Sequence, residues 1–544
     1  MAMATDGHRS ATSCFAAVLI AIGVAGATSA TAADVAVTGG GTTAVTGASA
    51  PDAGTAGAAM ASANRWRFVP NINLRETATD NVDQSSDATR KGDFITEIIP
   101  GLSIEGNGAR VKAHLNYRMD SLIYARDSSK NNLQNYLDAG GTVEAIENFL
   151  FVDGTASITQ DAVSAFGPRP TDATSTTSNR TETRAFQLSP YIRGRLGATS
   201  TDYEARYSYS VLQSSENTAS NSRVGEFTAS LKGLTRWTDV GWQLLGDSQS
   251  VDNDVQRDTQ AARARGVLLY TIDPQFQLSA TGGYERNDYV TLDTVDKVTY
   301  GAGFQWAPTP RTSVHGTWER RFFGDGWDYG ASHRTPFFSF DLSDRRDVNT
   351  DAQSRTSAGS GAAYDLLFAA LTTRIPNPID RAAEALRILH GGGIPPGLGL
   401  PPDFLVGTAF VERRQQASAA FLGVRNTFTF IVYQVHRDAL GAGAEGNVPS
   451  DQTDNVKERG GSAAYSHRLS GMSSVSAMLS LIRTTSETSN LASRQWDGRV
   501  SYVTQLGPRT SGSLEYRYVR FDGEGSGTSD YRENAVVASV LLQF

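Results

Sequence analysis

The chain has 544 residues, with 49 Lys and Arg against 57 Asp and Glu, for a formal net charge of −8. This mildly acidic balance, with the two signs interspersed and no basic block, carries no nucleic-acid footprint. The only cysteine is Cys14, inside what reads as an export signal, so the mature chain is expected to have no disulfide framework, cysteine nucleophile or thiolate metal site.

Residues 1–32 read as a signal peptide: Arg9, an apolar stretch from Phe15 to Val24, then small residues ending on Ala30-Thr31-Ala32 as a cleavage site. Cys14 sits too early in it for lipid attachment. Residues 33–64 are Ala, Gly, Thr and Ser with few large side chains. Such a stretch buries too little surface to offset its ordering entropy and reads as a flexible periplasmic tether. After the signal no run of eighteen apolar residues occurs, which excludes a helical span but not a β-barrel, where only alternate residues meet lipid.

From Trp66 onward, segments of alternating polarity are separated by turn residues. The clear strands run over 66–78, 93–105, 109–124, 133–146, 149–161, 184–196 and 201–213. They continue over 223–233, 237–249, 260–271, 275–287, 296–306 and 311–323. The last group covers 406–420, 424–436, 458–469, 473–486, 494–505, 510–521 and 532–544. In "VKAHLNYRMD", Val111, Ala113, Leu115, Tyr117 and Met119 share one face, and Lys112, His114, Asn116, Arg118 and Asp120 the other. Tyr203, Ala205, Tyr207, Tyr209 and Val211 likewise oppose Glu204, Arg206, Ser208 and Ser210.

Two features choose a membrane barrel over a soluble one. About twenty strands make a barrel too wide for side chains to fill, so an apolar interior could not pack. Short connections at 106–108, 196–200, 307–311 and 506–509 alternate with long polar ones at 79–92, 162–183, 250–258, 437–457 and 522–530. Short periplasmic turns and long outer loops are the outer-membrane arrangement. The fold class is therefore an all-β, antiparallel up-and-down outer-membrane barrel over 65–544. The expected localisation is the Gram-negative outer membrane, with its lipid as a partner.

Both chain ends belong in the periplasm, so the strand count is even: twenty, or twenty-two if 328–342 is a strand across "GDGW" and one more hides in 344–404. The 344–404 stretch reads as a long loop or a plug. It carries a helix near 378–390, with Asn377 as cap, Pro378 in the first turn, and a stripe of Ile379, Ala382, Leu386 and Leu389.

No G-x-S-x-G, H-E-x-x-H or Walker pattern occurs, and the histidines are scattered one per segment. No enzyme activity, cofactor or metal site is expected. One pattern recurs: Glu204/Arg206, Glu319/Arg321, Asp497/Arg499 and Glu515/Arg517 each set an acid and an arginine on one strand face. With Lys112, His114 and Arg118 they are the candidate lumen-lining residues. They serve either as a charged wall that screens solutes or as ion pairs that stiffen the barrel. Trp66, Trp237, Trp242, Trp306, Trp318 and Trp496 suit interfacial girdles. Val536, Ala538, Val540, Leu542 and Phe544 put an apolar face and a terminal aromatic on the last strand. That pattern resembles the signal read by the barrel-assembly machinery, which is thus an expected partner.

The stretches "ATDNVDQSS" (78–86), "IIPGLSIEGNGARVKAHLNY" (98–117), "FLFVDGTASITQDAVSAFG" (149–167) and "LSPYIRGRLG" (188–197) resemble the outer-membrane β-barrel family of PEP-CTERM/exosortase systems. "RRFFGDGWDYGASHRTPFFSFDLS" (320–343) is similar to it as well. The resemblance implies a channel or secretion component tied to exopolysaccharide export, with polysaccharide and periplasmic export proteins as partners. It brings no catalytic residue. The alternative is a scaffold barrel with a closed lumen whose long loops bind surface polymer.

Overall fold

A computed structural model describes residues 65–197, 201–215, 221–254, 257–290, 293–349, 362–377, 381, 384–385, 388–389, 409–440, 455–525 and 530–544. The expected signal peptide and tether lie outside these residues.

Period-two alternation produces strands throughout. The first seven are β1 Arg65–Thr79, β2 Asp93–Asn107, β3 Val111–Tyr124, β4 Asn132–Ile146, β5 Leu150–Asp161, β6 Thr181–Arg195 and β7 Asp202–Ser214. Then come β8 Ser222–Leu234, β9 Val240–Asn253, β10 Thr259–Asp273, β11 Phe276–Asn287, β12 Val295–Thr309, β13 Thr312–Arg321, β14 Gly324–Arg334 and β15 Phe338–Asn349. The chain ends with β16 Phe410–Leu422, β17 Asn426–Ala439, β18 Val456–Arg468, β19 Ser473–Ser486, β20 Ala492–Gly507, β21 Thr510–Glu524 and β22 Tyr531–Gln543.

Each strand pairs antiparallel with its sequence neighbours, and β1 closes on β22 from Asn71↔Gln543 to Thr79↔Ala535. The 22 strands form one closed sheet with no free edge, as a structure surrounded by lipid requires. The ladder skips Ile99–Pro100 between β2 and β3 and Ser189–Pro190 between β6 and β7. Proline has no N–H to donate there. The Ser189 hydroxyl spans the second gap by donating to Ser208 Oγ at 2.9 Å.

The even count is reached differently from the sequence expectation. The stretch 328–342 is not one strand with another hidden beyond 344. It is parts of two strands, β14 and β15, separated at Thr335-Pro336-Phe337. Thr335 makes this turn: its hydroxyl accepts the Phe337 and Phe338 amides at 3.3 and 3.0 Å. "GDGW" is not the β13–β14 turn but the start of β14, and Gly324 supplies its positive φ of 103°. The insert therefore begins after Asn349, and among its described residues no further strand occurs.

The two faces of the wall differ as the alternation requires. Tyr207, Leu268, Leu479 and Val500 are about half exposed, while Ser208, Ser210, Glu285 and Arg517 are buried. Large apolar groups left bare on the outside of a closed sheet are covered only by acyl chains. The even-stranded, closed barrel and its apolar exterior place the protein in the Gram-negative outer membrane. No described helix is long and apolar enough to cross a membrane.

Inside, a helix α1 (Ala362–Leu371) was not anticipated. Leu366, Leu367, Ala370 and Leu371 of α1 cluster with Ala385 and Leu389, and with Ala420, Leu422 and Ala464 on the inner faces of β16 and β18. Arg381, Glu384, Ala385, Ile388 and Leu389 are helical, within the helix expected near 378–390. Ile379, Ala382 and Leu386 of its expected stripe lie outside the described residues. Arg381 ties the two helical pieces together. It donates to the Ile375 carbonyl at 3.0 Å and Thr372 Oγ1 at 3.0 Å, and its guanidinium lies 4.6 Å over the Phe368 ring.

Candidate functional site: a clamped loop inside the barrel

The β5–β6 connection, 162–180, was expected to be an outer loop. Instead it turns inward, because its few apolar side chains find partners on the inner wall and in the β1–β2 connection. Ala162, Ala165 and Phe166 pack with Val456, and Ala173 packs with Ile95, Leu122, Tyr124 and Val82. The loop first folds on itself through Asn179. Its Nδ2 donates to the Ser164 and Pro168 carbonyls at 3.0 and 3.1 Å, and its Oδ1 accepts the Ser164 amide at 2.7 Å. Gly167 is required beside it, since a Cβ there would lie 2.6 Å from Asn179 Nδ2.

Arg169 stands between Pro168 and Pro170, whose rings fix φ and remove two N–H groups that would otherwise need partners. Arg169 is 4% exposed, and its side chain donates to Glu458 and to Thr484 Oγ1 at 3.3 Å. Glu458 is also held by the Tyr433 hydroxyl at 2.9 Å. The Arg169 backbone is gripped twice by Gln495: its amide donates to Oε1 at 2.9 Å, and its carbonyl accepts Nε2 at 3.1 Å. Further along, Arg499 donates to the Thr171 carbonyl at 2.7 Å, and Asp172 pairs with Arg517. On the opposite flank Gln134 donates to the Ala173 carbonyl and Tyr124 to the Thr174 carbonyl, both at 3.0 Å. Thr176 reaches the Val82 carbonyl at 2.8 Å. Contacts spread along 162–176 thus pin the loop to β18, β19, β20 and β21 on one flank and to β2, β3 and β4 on the other. Burial within this packing lowers the Arg180 pKa from its ordinary value, against the raising influence of Tyr136 and Tyr124.

The residues singled out from the sequence fall into separate groups. Asp497, Arg499, Glu515 and Arg517 come together under the loop. Arg499 pairs with Asp497 at 2.9 Å and Glu515 at 3.9 Å, and Arg517 pairs with Glu533 at 2.7 Å as well as Asp172. Glu204 and Arg206 lie on another arc. Arg206 pairs with Asp153 at 2.7 Å more closely than with Glu204 at 3.7 Å, and its guanidinium sits 3.9 Å over Tyr191. Glu319 faces Arg263 and Arg265 at 3.7 Å each, and Arg321 pairs with Glu285 at 3.0 Å and with Asp347. Arg118 meets Asp120 at 3.5 Å and covers Tyr136, and His114 faces Asp138 at 3.9 Å. Lys112 is exposed near the end of the wall where β1 begins and β22 ends. Most pairs run across strands, so the i, i+2 pattern marks the charged face better than it names partners. Val536 and Val540 are exposed on the outer face of β22, and the Phe544 amide donates to the Pro70 carbonyl at 2.9 Å.

Sequence reasoning missed Arg169, Asp172, Asn179, Glu458 and Glu533. The available signal was "GPRP", an arginine bracketed by prolines in a loop otherwise rich in Ser and Thr. The histidines stay apart from one another, but one of them has two acidic neighbours. His436 Nε2 lies 3.0 Å from Asp438 and 3.2 Å from Glu487 at the outer rim. Among the described residues this trio is the one group with donor atoms close enough to share a cation.

No family model and no curated protein matches the chain. Solved structures do. The outer membrane protein OpdK of Pseudomonas aeruginosa aligns over 88% of this chain and 99% of its own, at 10% identity and a TM-score of 0.33. OccAB2 of Acinetobacter baumannii aligns over 88% and 98%, at 11% identity and 0.34. The siderophore receptor PirA of P. aeruginosa aligns over 88% and 80%, at 8% identity and 0.37. At these values the likeness concerns barrel architecture alone.

Proposed function

We propose that this protein is an outer-membrane channel or secretion component serving exopolysaccharide export in a PEP-CTERM/exosortase system, with its lumen controlled by the 162–180 loop. The observation that carries the reading is the clamp of Arg169, Arg499 and Arg517 on that loop within a barrel of 22 strands. Barrels of this size enclose a lumen wide enough to need a plug if they are not to leak. A wall of mixed charge with many arginines offers hydrogen-bond donors to acidic sugars without committing the pore to one ion sign. The polysaccharide assignment is supported by the resemblance of 78–86, 98–117, 149–167, 188–197 and 320–343. The candidate lumen residues Lys112, His114, Arg118, Glu204, Arg206, Glu319, Arg321, Asp497, Arg499, Glu515 and Arg517 supply the charged wall. Val536, Ala538, Val540, Leu542 and Phe544 serve assembly.

A second reading is favoured by the packing of α1 on Ala420, Leu422 and Ala464, which fills part of the lumen with apolar side chains. On it the protein is a scaffold with no open pore. Planar-bilayer recording separates the two. A channel shows current that rises when the loop clamp is broken and is blocked by added acidic polysaccharide; a scaffold shows none in either form. Deleting the gene should leave surface polymer inside the cell on the first reading.

A further inference from the structure

Outside the barrel, near the strand ends remote from the start of β1 and the end of β22, three arginines stand side by side. Arg459 of β18 is directly opposite Arg483 of β19, which is directly opposite Arg494 of β20. All three are exposed. Directly opposed like charges on neighbouring strands repel and destabilise a sheet. Opposed outer arginines occur elsewhere too, Arg346 with Arg413 and Arg520 with Arg532. There, however, Arg413 pairs with Asp344 at 2.8 Å, Arg520 with Asp522 at 2.9 Å and Arg532 with Asp87. Single outer arginines are paired likewise, Arg184 with Glu182 at 2.6 Å, Arg286 with Asp296 at 3.7 Å and Arg320 with Asp325 at 2.9 Å. Among the described residues no carboxylate lies within ion-pairing distance of the trio: Asp522 of β21 stands directly opposite Arg494 but pairs with Arg520. Its one polar contact is Arg459 to Gln434 Oε1 at 2.8 Å.

Position along the strands indicates what neutralises it. Two residues further toward the end of the wall where β1 begins, the same face presents Gly461, Leu481 and Trp496, and beyond them Leu479, Tyr465 and Val500. Leu479 and Val500 are about half exposed, as acyl-facing groups are. A rise of about 6.6 Å for two residues puts the guanidinium row one step above the start of the apolar belt. Neighbouring strands about 4.8 Å apart spread the three forks over about 10 Å. We infer that Arg459, Arg483 and Arg494 form a docking site for the phosphate-bearing headgroup of an outer-leaflet lipid, whose chains lie on Leu479, Tyr465 and Val500. Guanidinium forks bind phosphate bidentately, and a bound anion turns the repulsion of the row into attraction.

The test uses the full-length protein purified in detergent, with native mass spectrometry after incubation with bisphosphorylated lipid A or with phosphatidylcholine. The wild type retains lipid A in preference to phosphatidylcholine. The variant R459Q/R483Q/R494Q loses lipid A retention by about a hundredfold, as expected for three cations near a lipid surface. The control R184Q/R286Q/R320Q removes the same charge from paired outer arginines and keeps retention. Heat-modifiable gel migration confirms that both variants are folded. Equal loss in the two variants, equal retention of phosphatidylcholine, or displacement of lipid A by millimolar inorganic phosphate overturns the assignment.

Discussion

Replacing Arg169 with alanine should loosen the loop while leaving the barrel intact. Arg169 is 4% exposed and Glu458 2% exposed, so the substitution strands a buried carboxylate with only the Tyr433 hydroxyl at 2.9 Å. Removing one member of a buried ion pair costs about 3–5 kcal/mol. Here the cost falls on the docked loop. When the loop lifts away, water reaches Glu458, so the opening equilibrium shifts by about a hundredfold to a few thousandfold. The Gln495 contacts to the Arg169 backbone survive the change and keep the effect toward the lower end. The assay is single-channel recording in planar bilayers, with heat-modifiable migration to show the barrel is folded. Open probability should rise strongly in Arg169→Ala and in Glu458→Ala. The double variant should show less than the sum, because both singles break one interaction. A folded Arg169→Ala protein with wild-type current would refute the reasoning.

Arg517→Ala should destabilise the barrel by about 3–5 kcal/mol in denaturant unfolding, since Glu533, 3% exposed, loses its cation. Arg517→Lys should recover only part of this, because an ammonium cannot bridge Glu533 and Asp172 as a fork does. Leu367→Ala, at a fully buried position of α1, should weaken docking of the insert by about 2–5 kcal/mol, read as faster proteolysis within 350–409. Gly167→Ala forces Asn179 to move and should cost about 1–3 kcal/mol of loop stability, read as increased current. Deleting Phe544 should leave β22 paired at β21 but lower the yield of assembled barrel in the outer membrane, measured by cell fractionation.

The barrel was legible because alternation is a local signal. In β7, Tyr207 and Tyr209 against Ser208 and Ser210 already state which side is apolar, and closure makes that side outermost. The middle was harder for two reasons. β14 and β15 are interrupted by a single proline turn, which looks like a strand running through Pro336. Helix α1, "AAYDLLFAAL", is apolar nearly all round, so it shows no period by which to tell a helix from a strand. The inward loop was not legible because a Ser- and Thr-rich segment satisfies the same composition whether it meets water or a polar wall. What holds it inside is Arg169 on Glu458, 289 residues apart, a pairing no local pattern contains. The unpaired outer arginines were hidden likewise: Arg459, Arg483 and Arg494 become neighbours only once register is fixed.

Which side of the wall faces lipid decides every assignment of lumen and exterior. Nitroxide labels placed singly at Tyr207 and at Ser208, with the protein reconstituted in bilayers, measure this directly through collisions with oxygen and with a water-soluble nickel chelate. The label at Tyr207 should collide mainly with oxygen, as in hydrocarbon, and the label at Ser208 should not. A Ser208 label in hydrocarbon with a Tyr207 label in water would contradict the account.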